Sequence, residues 1–165
     1  MGLDHAILIK KRGKGNSKYK EVVSMRKCNQ IHGWFLRNVI SREYEDPNEW
    51  TGEYFQVFKE DIDRLYSDIC YVLDNSELVP GRVKVGERCK RFLCWTYWRG
   101  EYEPGMVIKN PKVAKKVLPT TEGFFFGKYE YDEDYYNQLV NVKKELEKLK
   151  DLDYEEYSVY YWGWW

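Results

Sequence analysis

Between residues 132 and 150 the apolar side chains of Tyr135, Leu139, Val142, Leu146 and Leu149 step by four, three, four and three, drawing one stripe down an α-helix. Such a helix holds in water only when the stripe is covered, so the rest of the chain must supply a facing layer. Part of that layer is helical. Ile62, Leu65, Ile69, Cys70 and Leu73 predict a second helix at about Lys59–Asp74, with acidic residues in its first turns where the dipole favours them. Cys28, Ile31, Phe35, Leu36, Val39 and Ile40 predict another over 25–41. Asn110-Pro111 opens a short helix at 112–118 that Pro119 ends.

The remaining layer reads as strand. Residues 3–10 are apolar on both faces and predict a central strand, followed by the glycine-rich basic loop RGKGNSKYK. A polar loop leads into a strand at 53–58. From about 80 to 105, apolar–polar alternation with glycines at 81, 86, 100 and 105 predicts a hairpin insertion. The terminal run YSVYYWGWW is β-rich and predicts a strand that pairs and docks. The expectation is a single α+β domain over 1–165, in which a small mixed β-sheet packs against two long helices and one or two short ones.

Rings must do much of the packing. Fifteen tyrosines, seven tryptophans and seven phenylalanines make 18% of the chain aromatic, a composition that suits both a core margin and a recognition surface. Formal charge is zero but falls in blocks: +7 over 1–40, −8 over 41–77, +7 over 78–120 and −6 over 121–165. The blocks either neutralise one another on the folded surface or build a basic pocket wall for an anionic ligand. A duplex-DNA binder would be net basic and a DNA mimic net acidic, so neither is expected.

No stretch approaches a membrane span, and the N-terminus has neither a signal-peptide cleavage pattern nor a myristoylation site, which predicts a soluble intracellular protein. Cys28, Cys70, Cys89 and Cys94 are unevenly spaced and are expected as free thiols; with only His5 and His32 beside them, no metal site and no cofactor are expected.

Three segments offer binding chemistry. In LPTTEGFFFGKYEYDEDYY, three phenylalanines lie between two glycines and lead into tyrosines threaded with acids; the glycines admit a ligand to the main chain and the rings offer stacking surfaces. On the 25–41 helix, Asn29 and His32 share a face close to Arg26, bringing an amide, an imidazole and a cation together. Trp95, Tyr97 and Trp98 among Arg88, Lys90, Arg91 and Arg99 either clamp a base or phosphate or cover the core edge. The GxG of the basic loop lacks the pattern of a P-loop or a dinucleotide fold and reads as a solvated loop.

MGLD at the start, RKCNQIHGWF in the 25–41 helix, LPTTEGFFFGKYEYDEDYY and a Trp-terminated aromatic tail occur here in one order. In this the chain resembles a family of small, uncharacterised bacteriophage proteins that begin MGLD, carry WRK-x-N-x-IH-x-WF and LLPT-x-x-GFFFG-x-x-x-YDE-x-Y, and end Ser-Ser-Trp. The residues matching those motifs are Arg26, Lys27, Asn29, His32 and Trp34, then Thr120, Gly123, Phe124, Phe125, Phe126, Gly127, Tyr131, Asp132 and Tyr135, with Trp165 at the tail. Met25 stands where the family has Trp, and Gly163-Trp164 replaces its serine pair.

The resemblance implies a phage-encoded protein of the host cytoplasm, a setting in which accessory proteins antagonise defence and some sequester nucleotide immune signals; that link is an analogy of setting. The residues favour a binder over an enzyme. The expected ligand is a nucleotide-like small molecule held by Arg26, Asn29, His32, Thr121, Phe125, Tyr131, Tyr135 and Trp162, with Phe125 and Tyr131 leading among the rings. The alternative partner is a host defence enzyme that the chain inhibits by docking. The sequestering reading also admits a homo-oligomer, in which pockets form between subunits. An enzyme using His32 as base beside Asp132 or Glu130 lacks a recognisable nucleophile–base–orienter set.

Overall fold

The computed structural model describes residues 2–13, 15, 17–50 and 52–165. Strands β1 (Asp4–Lys11) and β2 (Lys20–Arg26) precede helix α1 (Asn29–Asn38); β3 (Phe55–Val57) and α2 (Lys59–Asp74) follow. The hairpin strands β4 (Leu78–Phe92) and β5 (Trp95–Ile108) come next, then α3 (Lys112–Val117), α4 (Glu133–Leu146) and the terminal strand β6 (Tyr157–Trp164). The main sheet has the order β2-β1-β6-β3, and β4-β5 form a separate ribbon.

The α+β architecture and the central place of β1 agree with the sequence reading. Every pairing within the main sheet is antiparallel, which corrects the mixed sheet expected. A parallel pair would need a crossover, whereas β6 enters between β1 and β3 running against both. The first helix starts at Asn29, because Met25 is held in β2 opposite His5 and the chain reverses through Lys27 at φ 54°. The ribbon runs past both expected ends, from Leu78 to Ile108.

Alternation along the strands divides the sheet into two faces. Val23, Met25, Ile7, Tyr161, Val159, Phe55 and Val57 point to one side, where they join buried residues of all four helices. Tyr135, Leu139, Val142, Leu146 and Leu149, the stripe that required a partner, are buried there. Polar links fix the helices to one another: the Trp34 indole donates to Asp68 at 2.8 Å, and Gln30 donates to Gln138 at 2.9 Å. Asp61 accepts the backbone N–H of Phe58 at 3.1 Å and two bonds from Arg42, capping α2 and tying it to the turn after α1.

The opposite face carries Ala6, Leu8 and Lys10 of β1 beside Trp162, Tyr160 and Ser158 of β6. Ala6 and Leu8 are buried yet stand outside the core cluster, being flanked on that face by the rings of their cross-strand neighbours.

Candidate functional site

The GFFFG segment is shaped by one asparagine. Asn29, buried at the start of α1, donates to the carbonyls of Phe126 (3.2 Å) and Lys128 (2.8 Å) and accepts the N–H of Thr121 at 3.0 Å. Its amide therefore bridges both limbs of the loop, and all its strong hydrogen-bonding directions except one are spent. Gly33 lies one turn on, and a Cβ there would come 1.9 Å from the Thr121 hydroxyl oxygen, so the loop packs directly on bare helix backbone. Gly127 at φ 100° lets the chain pass Lys27; a side chain there would be both strained and crowded.

Of the three phenylalanines, only Phe126 turns inward. It meets the His32 ring edge-on with centroids 5.3 Å apart, while Phe124 and Phe125 are exposed. Phe125 adopts φ 62°, and its carbonyl accepts from Leu3 N–H. Sequence reasoning placed Phe125 with Tyr131 first among the ligand-facing rings; its ring is exposed beside Phe124, and its backbone is tied to Leu3, which is not one of the expected site residues.

His32 is fully buried, its Nδ1 2.7 Å from the hydroxyl of Tyr161; Nδ1 of His5 lies 3.0 Å from the same oxygen. A hydroxyl has one proton to give, so Tyr161 donates to one imidazole and accepts N–H from the other, which requires the two rings to be opposite tautomers at Nδ1. Burial lowers the His32 pKa to about 4. Burial, and then the neighbouring His32, hold His5 well below its ordinary value, and burial pushes the Tyr161 phenol up. Phe35, Trp50, Phe126 and Trp165 close round this trio. It is an internal polar joint between α1, β1 and β6.

Tyr131 and Tyr135 serve a neighbouring joint. The Tyr131 hydroxyl accepts Thr120 N–H at 3.1 Å, and the Tyr135 hydroxyl donates to the Leu118 carbonyl at 2.8 Å, fastening the segment after α3 to the start of α4. The structure thus brings Asn29, His32, Thr121, Tyr131 and Tyr135 into one region but turns most of their polar groups to the protein itself; the Thr121 hydroxyl and Nε2 of His32 are buried without a hydrogen-bond partner. Beside this region opens a cleft of about 530 Å³, between Lys27 and Gln30 on one wall and Lys128, Asp132, Tyr135 and Gln138 on another. With Glu130 and Asp134 also present and Lys128 paired to Asp134, the cleft is amide-rich and faintly acidic, a poor receptor for phosphate.

Arg26 and Trp162 fall on the other side of the sheet. Arg26 is exposed, 3.6 Å from Asp4, and Trp162 is half-buried opposite Ala6. Three tyrosines missed by sequence reasoning share that face. Tyr19, preceding β2, and Tyr54, preceding β3, stack at 4.0 Å with planes 5° apart, and Tyr19 meets Tyr160 of β6 edge-on at 5.2 Å. Rings from the two outer margins of the sheet thereby join across its middle. Lys10 Nζ lies 4.8 Å from the Tyr19 centroid. Next to it, Lys10, Lys11, Arg12, Gly13, Gly15, Ser17, Ser158 and Tyr160 line a concavity of about 300 Å³. Lys11 is paired with Glu156 on its rim; Lys14 and Asn16 of this loop are outside the described residues.

The signal for this surface was present in the tail, where alternation in YSVYYWGWW sets Tyr160, Trp162 and Trp164 on one side. Among the described residues no group of three His, Cys, Asp or Glu side chains is placed to hold a metal, and no helix is long and apolar enough to cross a membrane. Comparison with protein-family models, curated proteins and solved structures finds no match.

Proposed function

We propose that this protein binds a nucleotide-like small molecule on the outer face of its four-stranded sheet. The observation that carries the reading is the juxtaposition of the Tyr19–Tyr54 stack and Tyr160 with the cationic concavity of Lys10 and Arg12. A planar base extends the tyrosine stack, and a phosphate enters the concavity, where Lys10 and Arg12 supply charge and the glycines leave the main chain open. Tyr54 retains 47% exposure, so the stack has a ring face to offer. Trp162 and Arg26 extend the same face toward its other end.

Sequestration accords with this surface better than turnover, since the two imidazoles lie sealed behind Tyr161 on the opposite side of the sheet. Together with the resemblance to phage proteins, it makes capture of a host immune-signalling nucleotide in the bacterial cytoplasm our favoured biological role. A thermal-shift screen with ADP-ribose, cyclic mononucleotides and cyclic dinucleotides tests it: a ligand that binds only the folded state raises Tm by an amount that grows with the logarithm of its concentration above Kd. The ligand recovered after denaturation should be intact. No shift with any of these compounds contradicts the proposal, and recovery of altered ligand replaces sequestration with catalysis.

A second reading rests on Phe124 and Phe125, exposed side by side with centroids 4.1 Å apart and suited to insertion into a protein partner. On that reading the chain inhibits a host defence enzyme, and a partner should co-purify at fixed stoichiometry and be lost on Phe124→Ala.

A further inference from the structure

The β4–β5 ribbon leaves the body of the protein. Near its base, Ile108 is buried and its N–H bonds to the Tyr131 carbonyl; Val107 bridges to Asp132, and residues 84–87 border the 127–130 loop. Beyond that, every described side chain from 88 to 99 is exposed. Five cross-strand pairs at strand spacing make this tip about 17 Å long. An isolated two-stranded ribbon is only marginally stable in water.

The chemistry of the tip is one-sided. RCKRFLCWTYWR contains four cations and no acid, and among the described residues no carboxylate pairs with Lys90, Arg91 or Arg99; Arg88 bonds Glu101 of the stem at 2.8 Å. Arg88 faces Arg99 across the ribbon, and on the same face Lys90 faces Tyr97 and Trp95 follows. Along this face cations thus give way to rings, from the two arginines through Lys90 and Tyr97 to Trp95 near the turn. The other face carries Trp98 opposite Cys89 and Arg91 opposite Thr96. Trp95 and Trp98 are 74% and 68% exposed, and Leu93 at the end of the ribbon is 81% exposed. Leu93 also holds φ 53° at the first position of a two-residue turn, where glycine is the usual occupant.

Opposed arginines and a strained, exposed leucine are poor choices for an unliganded ribbon. A protein-docking patch would gather its apolar groups at a centre and exclude lysine from it. Exposed rings facing and flanked by cations on a projecting ribbon are instead suited to stacking bases while neutralising the neighbouring phosphates.

We infer that the ribbon tip is a binding arm for single-stranded nucleic acid, with Trp95, Tyr97 and Trp98 stacking on bases and Arg88, Lys90, Arg91 and Arg99 meeting phosphates. This arm is separate from the sheet face and does not depend on its ligand.

Fluorescence anisotropy of labelled 20-nucleotide single-stranded DNA and RNA, titrated with the full chain, tests it. Three or four phosphate contacts give a plot of log K against log salt with a slope of roughly −2 to −3. Trp95→Ala and Trp98→Ala should each weaken binding by about 5- to 100-fold. The double reversal Lys90→Glu/Arg99→Glu should abolish it and flatten the slope, while the melting temperature stays within a few degrees of the parent because these side chains contact no core. Lack of binding at low salt, tighter binding to the corresponding duplex, or binding unchanged by the charge reversal would each overturn the assignment. So would a stoichiometric protein complex or dimer that buries the tip and leaves oligonucleotides unbound.

Discussion

The Nδ1 atom of His32 lies 2.7 Å from the hydroxyl of Tyr161, and that single oxygen also serves His5 from the other side at 3.0 Å. α1, β1 and β6 are thus joined by three buried side chains that share protons away from bulk solvent. The joint works only while both rings are neutral.

This makes the fold acid-sensitive in a defined window. His32 titrates near 4 when folded against 6.5 for a free imidazole, and His5 is lowered too, so between those values the unfolded chain binds more protons than the native one. Stability is full above about pH 6.5 and declines as pH falls toward 4, by roughly 3 kcal/mol from His32 alone. Urea unfolding midpoints measured from pH 7.5 to 4.5 should fall accordingly. In His32→Gln the fall should be visibly shallower, even though the variant is less stable at neutral pH.

Removing the Tyr161 hydroxyl leaves two buried imidazoles facing a hydrocarbon edge. Tyr161→Phe should cost about 1–3 kcal/mol, which for a chain of this size lowers Tm by a few degrees per kcal/mol. Calorimetry at pH 7.5 measures it directly.

Asn29→Ala withdraws three hydrogen bonds at once and strands the Phe126 and Lys128 carbonyls and the Thr121 N–H. The expected loss is about 2–4 kcal/mol, concentrated in the 120–128 loop. Hydrogen exchange should show that loop opening while α2 and the main sheet keep their protection. Gly33→Ala should act on the same loop by displacing Thr121, and uniform deprotection of the whole chain in either variant would contradict the clamp.

Asp61→Asn keeps the size of the side chain while removing the charge that holds Arg42. Because the Arg42 side chain is 44% exposed, solvent screens the pair, and the expected cost is modest, about 1–2 kcal/mol, including the weaker cap on α2. Thermal melts in low and high salt should converge between parent and variant, since the part lost is the screened part.

The architecture was legible wherever periodicity was strong. The stripe of α4 is buried as read, Ile62, Leu65 and Ile69 of the α2 stripe are buried with Cys70 and Leu73 partly so, and the tail expected to pair does so as β6. Strand β2 was hidden because KEVVSMR runs without a break into the helical pattern beginning at Cys28; only the positive φ of Lys27, a backbone property, divides them. At the expected site the residue types were legible but their direction was not. An asparagine and a histidine one helical turn apart share a face, and nothing in the spacing says whether that face meets a ligand or the back of a sheet. Tyr19 and Tyr54 illustrate the converse: each sits alone in an irregular stretch 35 positions from the other, and only the order β2-β1-β6-β3 brings them together.

The central claim is that a nucleotide-like ligand sits on the outer sheet face, and isothermal titration of the best cyclic-nucleotide or ADP-ribose compound against four proteins tests it most directly. Tyr54→Ala and Lys10→Glu, both at the surface and outside the core cluster, should each weaken binding about tenfold or more through loss of stacking and of phosphate charge. Gln30→Ala in the amide-rich cleft should bind as the parent does. Unchanged affinity in the two sheet-face variants, with the loss falling on Gln30→Ala instead, would move the site to the cleft and contradict the account.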